Sequence, residues 1–480
     1  MSKDQFMKAN GLSSLQDILN EVARRVSPSP EERIKVAQIA DRIRLRVSEI
    51  ASKAGLEADV RLDGSVAKDT WLSGEADVDI FMKVAPSLSR EDLGTRCLKV
   101  ARDAVTNYVE RYAEHPYIET SVEGMKVNIV PCFNVEKGKW KSATDRTPFH
   151  TEYMKERLND DLRKEVRLTK KFAKGVGVYG AEMKVRGFSG MLCETLTLYY
   201  RSFQELLRNA ATWRPGQLVD VEGFYKGLEK EIPDLFPESL VVVDPVDKGR
   251  NVAAAVAEEK MWLFVAASRS FLQEPKLGFF YPPRTRPLPA KQLVSRLAKR
   301  GSDLLFIQFG HVDAVVDVLW SQLHKTENSL RNLLKANGFQ VLRSASWSDE
   351  EKVNVIVLEV DRSRLSPIRS HFGPPVSREN ESESFLEKHT GASDTVSGPR
   401  VEGDRWVVEK KRKHIDAALL IKESLRQGGK TVGVASKILP ALRNGFRVFV
   451  NGEIAGMSRR SRGLSLFLTE YLTGRPKWLE

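Results

Sequence analysis

The chain has 480 residues, 41% of them hydrophobic and 29% charged, and its 76 Lys and Arg against 64 Asp and Glu leave a net charge of +12. That composition excludes wholesale disorder, the length calls for two or more domains, and no apolar run approaches the roughly 18 residues that a membrane helix needs. Cys97, Cys132 and Cys193 lie far apart without a Cys-x-x-Cys spacing, which argues against a disulfide framework and a structural zinc site and leaves them as reduced core residues. The polar opening Met1-Ser2-Lys3-Asp4 does not lead into an apolar stretch, so a cytoplasmic protein without membrane attachment is expected.

The first forty residues read as helix, break, helix, with Ser27-Pro28-Ser29-Pro30 as the break and Ser29 with Glu32 as a capping-box pattern. Val36, Ile39, Ile43, Val47 and Ile50 then recur at helical spacing. Of two strand-like segments that follow, the second, residues 77–84, alternates so that Val78, Ile80 and Met82 share one face and Asp77 and Asp79 the other. A helix over about 91–113 leads to a third strand at 125–130, ended by Pro131. This is a small mixed α/β unit. From Thr151 to about 235 the pattern is predominantly helical, with Leu196, Tyr199, Tyr200 and Phe203 on a buried face.

Beyond Tyr281-Pro282-Pro283 the chain reads as strand (304–309), helix (312–336), strand (339–344) and strand (353–360), an alternation like a ferredoxin or RRM unit. Its first strand carries Phe306 and Phe309 but lacks the basic-aromatic signature of RNA-reading units. Residues 361–400, rich in Ser, Pro, Arg and Glu, read as a long surface excursion, and a helix is expected over 409–427. Residues 401–480 hold 16 Lys and Arg against 8 Asp and Glu, two thirds of the net charge, and include Arg459, Arg460 and Arg462. A polyanionic partner docking there is one reading, a solvated basic face the other.

The chemistry concentrates between Gly64 and Asp79. A Gly64-Ser65 turn lets backbone N–H groups approach a phosphate chain, and carboxylates at i and i+2 of a strand project together to hold hard cations such as Mg²⁺, the layout that two-metal phosphoryl transfer requires. This segment resembles the polymerase-β-type nucleotidyltransferase superfamily. The closer resemblance is to the archaeal, class I CCA-adding enzymes, through Ala67-Lys68-Asp69-Thr70-Trp71-Leu72, Ala113-Glu114-His115-Pro116-Tyr117, Val130-Pro131-Cys132, Asp145-Arg146-Thr147-Pro148-Phe149-His150, Lys184-Val185-Arg186-Gly187-Phe188-Ser189-Gly190, and Val243-Asp244-Pro245-Val246-Asp247 with Arg250.

The resemblance implies a multidomain α+β fold: a nucleotidyltransferase head (1–150), a helical neck (151–275), an α+β, RRM- or ferredoxin-like body (276–400) and a basic α/β tail (401–480) that contributes to tRNA binding. It implies addition of C, C and A to tRNA lacking part or all of its 3′ CCA, from CTP and ATP with Mg²⁺; a homodimer is one possible assembly. Asp77 and Asp79 resemble the family's metal ligands, Ser65 and Lys68 its phosphate contacts, Thr147, His150, Lys170 and Tyr179 its nucleotide contacts, and Arg250 its base-reading arginine. One position departs from the pattern: the third acidic ligand is matched by Asn128, whose amide offers an oxygen but no charge and is a very poor general base. Glu75 and Glu123 are nearby acids that do not occupy the matching position. A tRNA-binding relative with impaired catalysis and a poly(A)-type nucleotidyltransferase stand as alternatives.

Overall fold

The computed structural model describes residues 14–112 and 115–479; Ala113, Glu114 and the start of the first expected helix lie outside the described residues. Two compact units are formed, Met1–Arg284 with Pro476–Glu480, and Thr285–Arg475.

In the first unit, Ser14 caps helix α1 (Leu15–Val26), and Ser29 opens α2 (Pro30–Lys53) by accepting from the Glu32 N–H, with Pro30 at a position whose missing N–H would have had no helical partner. The other half of the expected capping box is not made. Glu32 reaches instead to Ser73 Oγ (2.8 Å) and the Gly74 N–H (2.6 Å), pinning the turn that leads into the second strand. Then come β1 (Ala58–Asp63), the single helical turn α3 (Gly64–Ala67), β2 (Asp77–Val84), α4 (Leu98–Asp103), β3 (Val109–Tyr112), β4 (Pro116–Val122) and β5 (Met125–Phe133). The strands form one sheet in the order β1-β2-β5-β4-β3, in which only β2 and β5 run parallel. The helix expected over 91–113 stops at Asp103, because Asn107 turns back with φ 54° and residues 109–112 pair with β4.

Val78, Ile80 and Met82 of β2 and Val127 and Ile129 of β5 enter a core closed by Val36, Ile39 and Val47 of α2 and Leu98 and Ala101 of α4. The period of two therefore sends Asp77, Asp79, Lys126 and Asn128 to the opposite face. The rest of the unit is helical: α5 (Arg146–Arg157), α6 (Asp160–Gly175), α7 (Gly190–Tyr200), α8 (Phe203–Ala210) and α9 (Glu258–Gln273). A small sheet of β6 (Gln217–Val219), β7 (Leu240–Asp244) and β8 (Asp247–Asn251) lies among them. Phe172 of α6 is the hub of this core, with the rings of Phe203, Phe264, Phe271, Phe279 and Phe280 at 5.4 to 6.0 Å. The three cysteines are free and buried, as expected.

The second unit runs through α10 (Ala290–Lys299), β9 (Asp303–Phe309), α11 (Val316–Ala336), β10 (Val341–Ser348), β11 (Asn354–Val360), β12 (Ile368–Pro375), α12 (Glu379–His389), β13 (Thr395–Glu402), β14 (Arg405–Lys411), α13 (Ala417–Arg426), β15 (Phe446–Val450), α14 (Ala455–Arg460) and α15 (Arg462–Thr473). The main sheet has the antiparallel order β10-β11-β9-β15, which is the strand order of a ferredoxin-like unit. The expected surface excursion is instead an inserted three-stranded sheet, β12-β14-β13, with α12 beside it. Its apolar residues are few: Val407 and Val408 of the central strand are buried, and Gly373 makes room for the Phe385 ring, which an added Cβ would approach to 2.6 Å. The helix expected over 409–427 begins only at Ala417, since residues 405–411 belong to β14. Among the described residues no helix is long and apolar enough to cross a membrane.

Candidate active site

The site is laid out by register. On the face opposite the core, Asp63 of β1 pairs with Asp79 of β2, Asp79 with Asn128 of β5, and Asn128 with Glu119 of β4, while Asp77 pairs with Lys126. Asp77, Asp79 and Asn128 are thus brought together as the sequence suggests. Asn128 Nδ2 donates to Asp79 Oδ1 at 2.8 Å; its own Oδ1 is buried and has no hydrogen-bond partner among the described residues. Gly64 makes this geometry possible. Its φ of +72° suits glycine, and a Cβ there would fall 2.1 Å from Asp79 Oδ2. The Gly64 N–H donates to Thr151 Oγ1 (3.3 Å), which in turn donates to the Thr147 carbonyl (3.0 Å), so α5 and Thr147 are fastened to the turn that carries Ser65.

Burial raises the pKa of both acids. Asp79 is pushed up to about 6 by desolvation and, less strongly, by the neighbouring Asp77, against the lowering effects of the Asn128 hydrogen bond and the Lys68 charge. Asp77 rises for the same reason, with Lys126 opposing at 4.0 Å. Two carboxylates and an unpartnered amide oxygen are hard donors of the kind that Mg²⁺ accepts. Among the described residues no group of three His, Cys, Asp or Glu is placed to hold a metal, so the third donor beside Asp77 and Asp79 is the amide of Asn128. Glu75 and Glu123 do not stand in for it: Glu75 lies before β2 and pairs with Lys174, and Glu123, in the turn after β4, pairs with Arg42 at 2.7 Å.

Lys68, Lys170 and Tyr179 form a second group, organised by a residue that the sequence reading does not single out. Glu194 of α7 takes Lys68 Nζ at 2.5 Å, Lys170 Nζ at 2.8 Å and the Thr70 hydroxyl at 2.6 Å, all of them buried. Burial alone would raise the Glu194 pKa, but Lys170 and Lys68 outweigh it and hold the carboxyl down to about 2. Two ammonium groups against one carboxylate leave a buried excess of +1. An ideal Cβ on Gly190 would lie 3.3 Å from the Tyr179 hydroxyl and 3.7 Å from Lys170 Nζ, so these two groups converge at the start of α7. Arg167 fastens the intervening loop, donating to the Trp71 carbonyl at 3.0 Å and pairing with Asp69 at 2.7 Å.

His150 and Arg250 meet at a third point. Both hold the buried Asp244, His150 Nε2 at 2.9 Å and Arg250 Nη1 at 2.6 Å, and the Arg250 side chain remains 41% exposed. Arg146 pairs with Asp247 at 2.7 Å beside them. Glu194 had a readable signal, an acid inside the apolar run of α7; Glu119 had none, because only sheet register brings it beside Asn128.

A five-stranded mixed sheet presenting adjacent aspartates next to a Gly-Ser turn defines a nucleotidyltransferase, and residues 41–150 match the family described as nucleotidyltransferase domain. Residues 164–281 match the second domain of tRNA nucleotidyltransferase, and residues 300–451 the C-terminal domain of the CCA-adding enzyme. The chain is 34% identical over 473 residues to the CCA-adding enzyme of Haloarcula marismortui, covering 96% of this chain and 98% of that one. It is 37% identical over 451 residues to that of Methanothermobacter thermautotrophicus, covering 92% and 95%. A solved cytoplasmic RNA terminal U-transferase is 15% identical, with 55% of this chain and 96% of that chain covered at a TM-score of 0.42. The chain belongs to the CCA-adding enzyme family.

Proposed function

We propose that this enzyme adds C, C and A to the 3′ end of tRNA from CTP and ATP, releasing pyrophosphate, with Mg²⁺ held by Asp77, Asp79 and Asn128. The observation that carries the reading is the side-by-side presentation of Asp77 and Asp79 beside Gly64-Ser65 in a chain whose family relationship runs nearly its full length. When bound, Mg²⁺ supplies charge for the triphosphate and acidity for the attacking 3′-hydroxyl. This chain's residues bind and orient. Ser65, Lys68, Lys170 and Tyr179 contact the triphosphate, whose negative charge the excess positive charge around Glu194 attracts. Asp244 anchors one Nη of Arg250 and leaves its other donors for the acceptor edges shared by cytosine and adenine, while His150 and Thr147 line the nucleotide.

The head (1–150) carries the chemistry, the neck (151–275) holds the nucleotide, and the body (276–400) and basic tail (401–480) hold the tRNA. Asn128 favours slow turnover, since it can neither carry charge nor accept a proton. The test is extension of tRNA lacking its CCA with CTP, ATP, both and neither. Addition of two C with CTP alone and of a terminal A when ATP is supplied supports the reading; repeated A would make the enzyme a poly(A)-type transferase, and no product with intact tRNA binding would leave an impaired relative.

A further inference from the structure

The face that carries Asp77 and Asp79 holds two further carboxylates: Asp63 on β1, beside Asp79 and 3.1 Å from Arg61 Nε, and Glu119 on the other side of Asn128. Glu119 on β4 is the register partner of Asn128, so Asp79, Asn128 and Glu119 lie in one row across three adjacent strands. Lys126, one pleat along β5, joins the acids: its Nζ is 3.1 Å from Glu119 Oε2 and 4.0 Å from Asp77 Oδ2. Arg111 holds the other Glu119 oxygen at 2.8 Å. Between the acids, the 9%-exposed Asn128 carries a buried oxygen that has no hydrogen-bond partner among the described residues, a polar atom suited to a cation or its water.

We propose that Glu119 is the third acidic group of this metal site, acting from β4 in place of the carboxylate that position 128 lacks. The inference rests on the metal-binding reading given above. Mg²⁺ dehydrates reluctantly and keeps several waters, so an acid one strand beyond the ligand position can accept from those waters and supply charge without entering the coordination sphere. Lys126 pairs with both Glu119 and Asp77, on the side of these acids where a cation would add its charge. With a divalent ion bound, Lys126 would need to neutralise only one of these acids. Residual catalysis with an amide at position 128 then has a source of charge.

The test uses the full chain and Mn²⁺ as the probe, with free Mn²⁺ read by electron paramagnetic resonance in the wild type, Glu119→Gln, Asn128→Asp and the double variant. Glu119→Gln should weaken Mn²⁺ binding on the order of tenfold in the wild type, the scale of losing an outer-sphere partner, and by less than about twofold once Asn128→Asp supplies the missing carboxylate. Arg111→Gln breaks a partner of Glu119 without removing its charge, so it should leave Mn²⁺ affinity within about twofold of wild type. Equal loss from Glu119→Gln in both backgrounds, no loss in either, or parallel losses from Arg111→Gln and Glu119→Gln would each overturn the proposal. Nucleotide addition by the wild type is measured separately. A wild type that adds C and A with Mn²⁺ binding indifferent to Glu119 refutes only this inference, whereas the expected coupling in a protein that adds no nucleotide refutes only the reaction.

Discussion

Asparagine and aspartate have nearly the same shape, so Asn128→Asp changes charge at the site while leaving its packing intact. In the present chain the amide donates to Asp79 at 2.8 Å and so relieves a contact that two carboxylates could not share without a cation. Asn128→Asp should therefore lower the melting temperature of the metal-free protein and gain more from added Mg²⁺ than the wild type does, measured by scanning calorimetry. It should also raise kcat for CMP addition by on the order of 10²-fold with little change in KM, the scale of a positioned charge or proton acceptor, read by single-turnover extension. An unchanged rate would show that position 128 is not part of the chemistry. At the lysine cluster, Glu194→Gln strips the carboxylate from two buried ammonium groups and should cost on the order of 3–5 kcal/mol near neutral pH. The folded pKa of about 2 lies below the ordinary 4.5, so the stability that Glu194 supplies is complete above about pH 4.5 and disappears as pH falls towards 2. The gap between wild type and variant in denaturant titrations should close over that interval; a gap independent of pH would place the effect in packing instead.

Among the elements, the α3 turn has the least freedom, because Gly64 must adopt φ +72° while leaving Asp79 Oδ2 the space that a Cβ would fill. Gly64→Ala should destabilise by roughly 1–3 kcal/mol through backbone strain and lower kcat/KM by on the order of 10²-fold by displacing the Asp79 carboxylate, with Ser65→Ala as the milder comparison. Equal effects of the two substitutions would argue that the hydroxyl, not the fit, matters. This turn and the strand after it were legible in the sequence, since alternation alone separates Val78, Ile80 and Met82 from Asp77 and Asp79. Strand β3 was not, because Val109 and Tyr112 are compatible with helix until β4 pairs with them, and the inserted sheet was hidden because its outer strands β12 and β13 are largely exposed and carry little apolar alternation. Local pattern carries no register, which is why Glu75 and Glu123 drew attention while Glu119, opposite Asn128, did not. Lys68, Lys170 and Glu194 come from three elements, and only the fold reveals that one carboxylate holds both ammonium groups.

At the scale of the whole molecule, the charge distribution makes the sharpest demand on the partner. Residues 401–480 account for +8 of the net +12, and Arg459, Arg460 and Arg462 are exposed around the junction of α14 and α15, with no carboxylate paired to any of them among the described residues. Exposed guanidinium groups without acidic partners are not held in reserve for intramolecular pairing, and each that meets a phosphate releases a condensed counterion. Affinity for tRNA should then fall linearly in log–log form with salt, and replacing all three arginines by Gln should reduce the magnitude of the slope by about 2, at roughly 0.7 to 0.9 per lost phosphate contact. Recognition of a double-helical RNA arm by shape predicts that this loss is nearly the same for tRNAs of different sequence. The CMP-addition rate at saturating tRNA should be unchanged if, as proposed, Asp77 and Asp79 act on the reaction and these arginines on binding. Filter binding across a salt series, followed by single-turnover addition with saturating tRNA, separates the two. A slope unchanged in the triple variant would return the three arginines to a solvated surface, and a reduced rate at saturation would show that they orient the tRNA end as well as hold it.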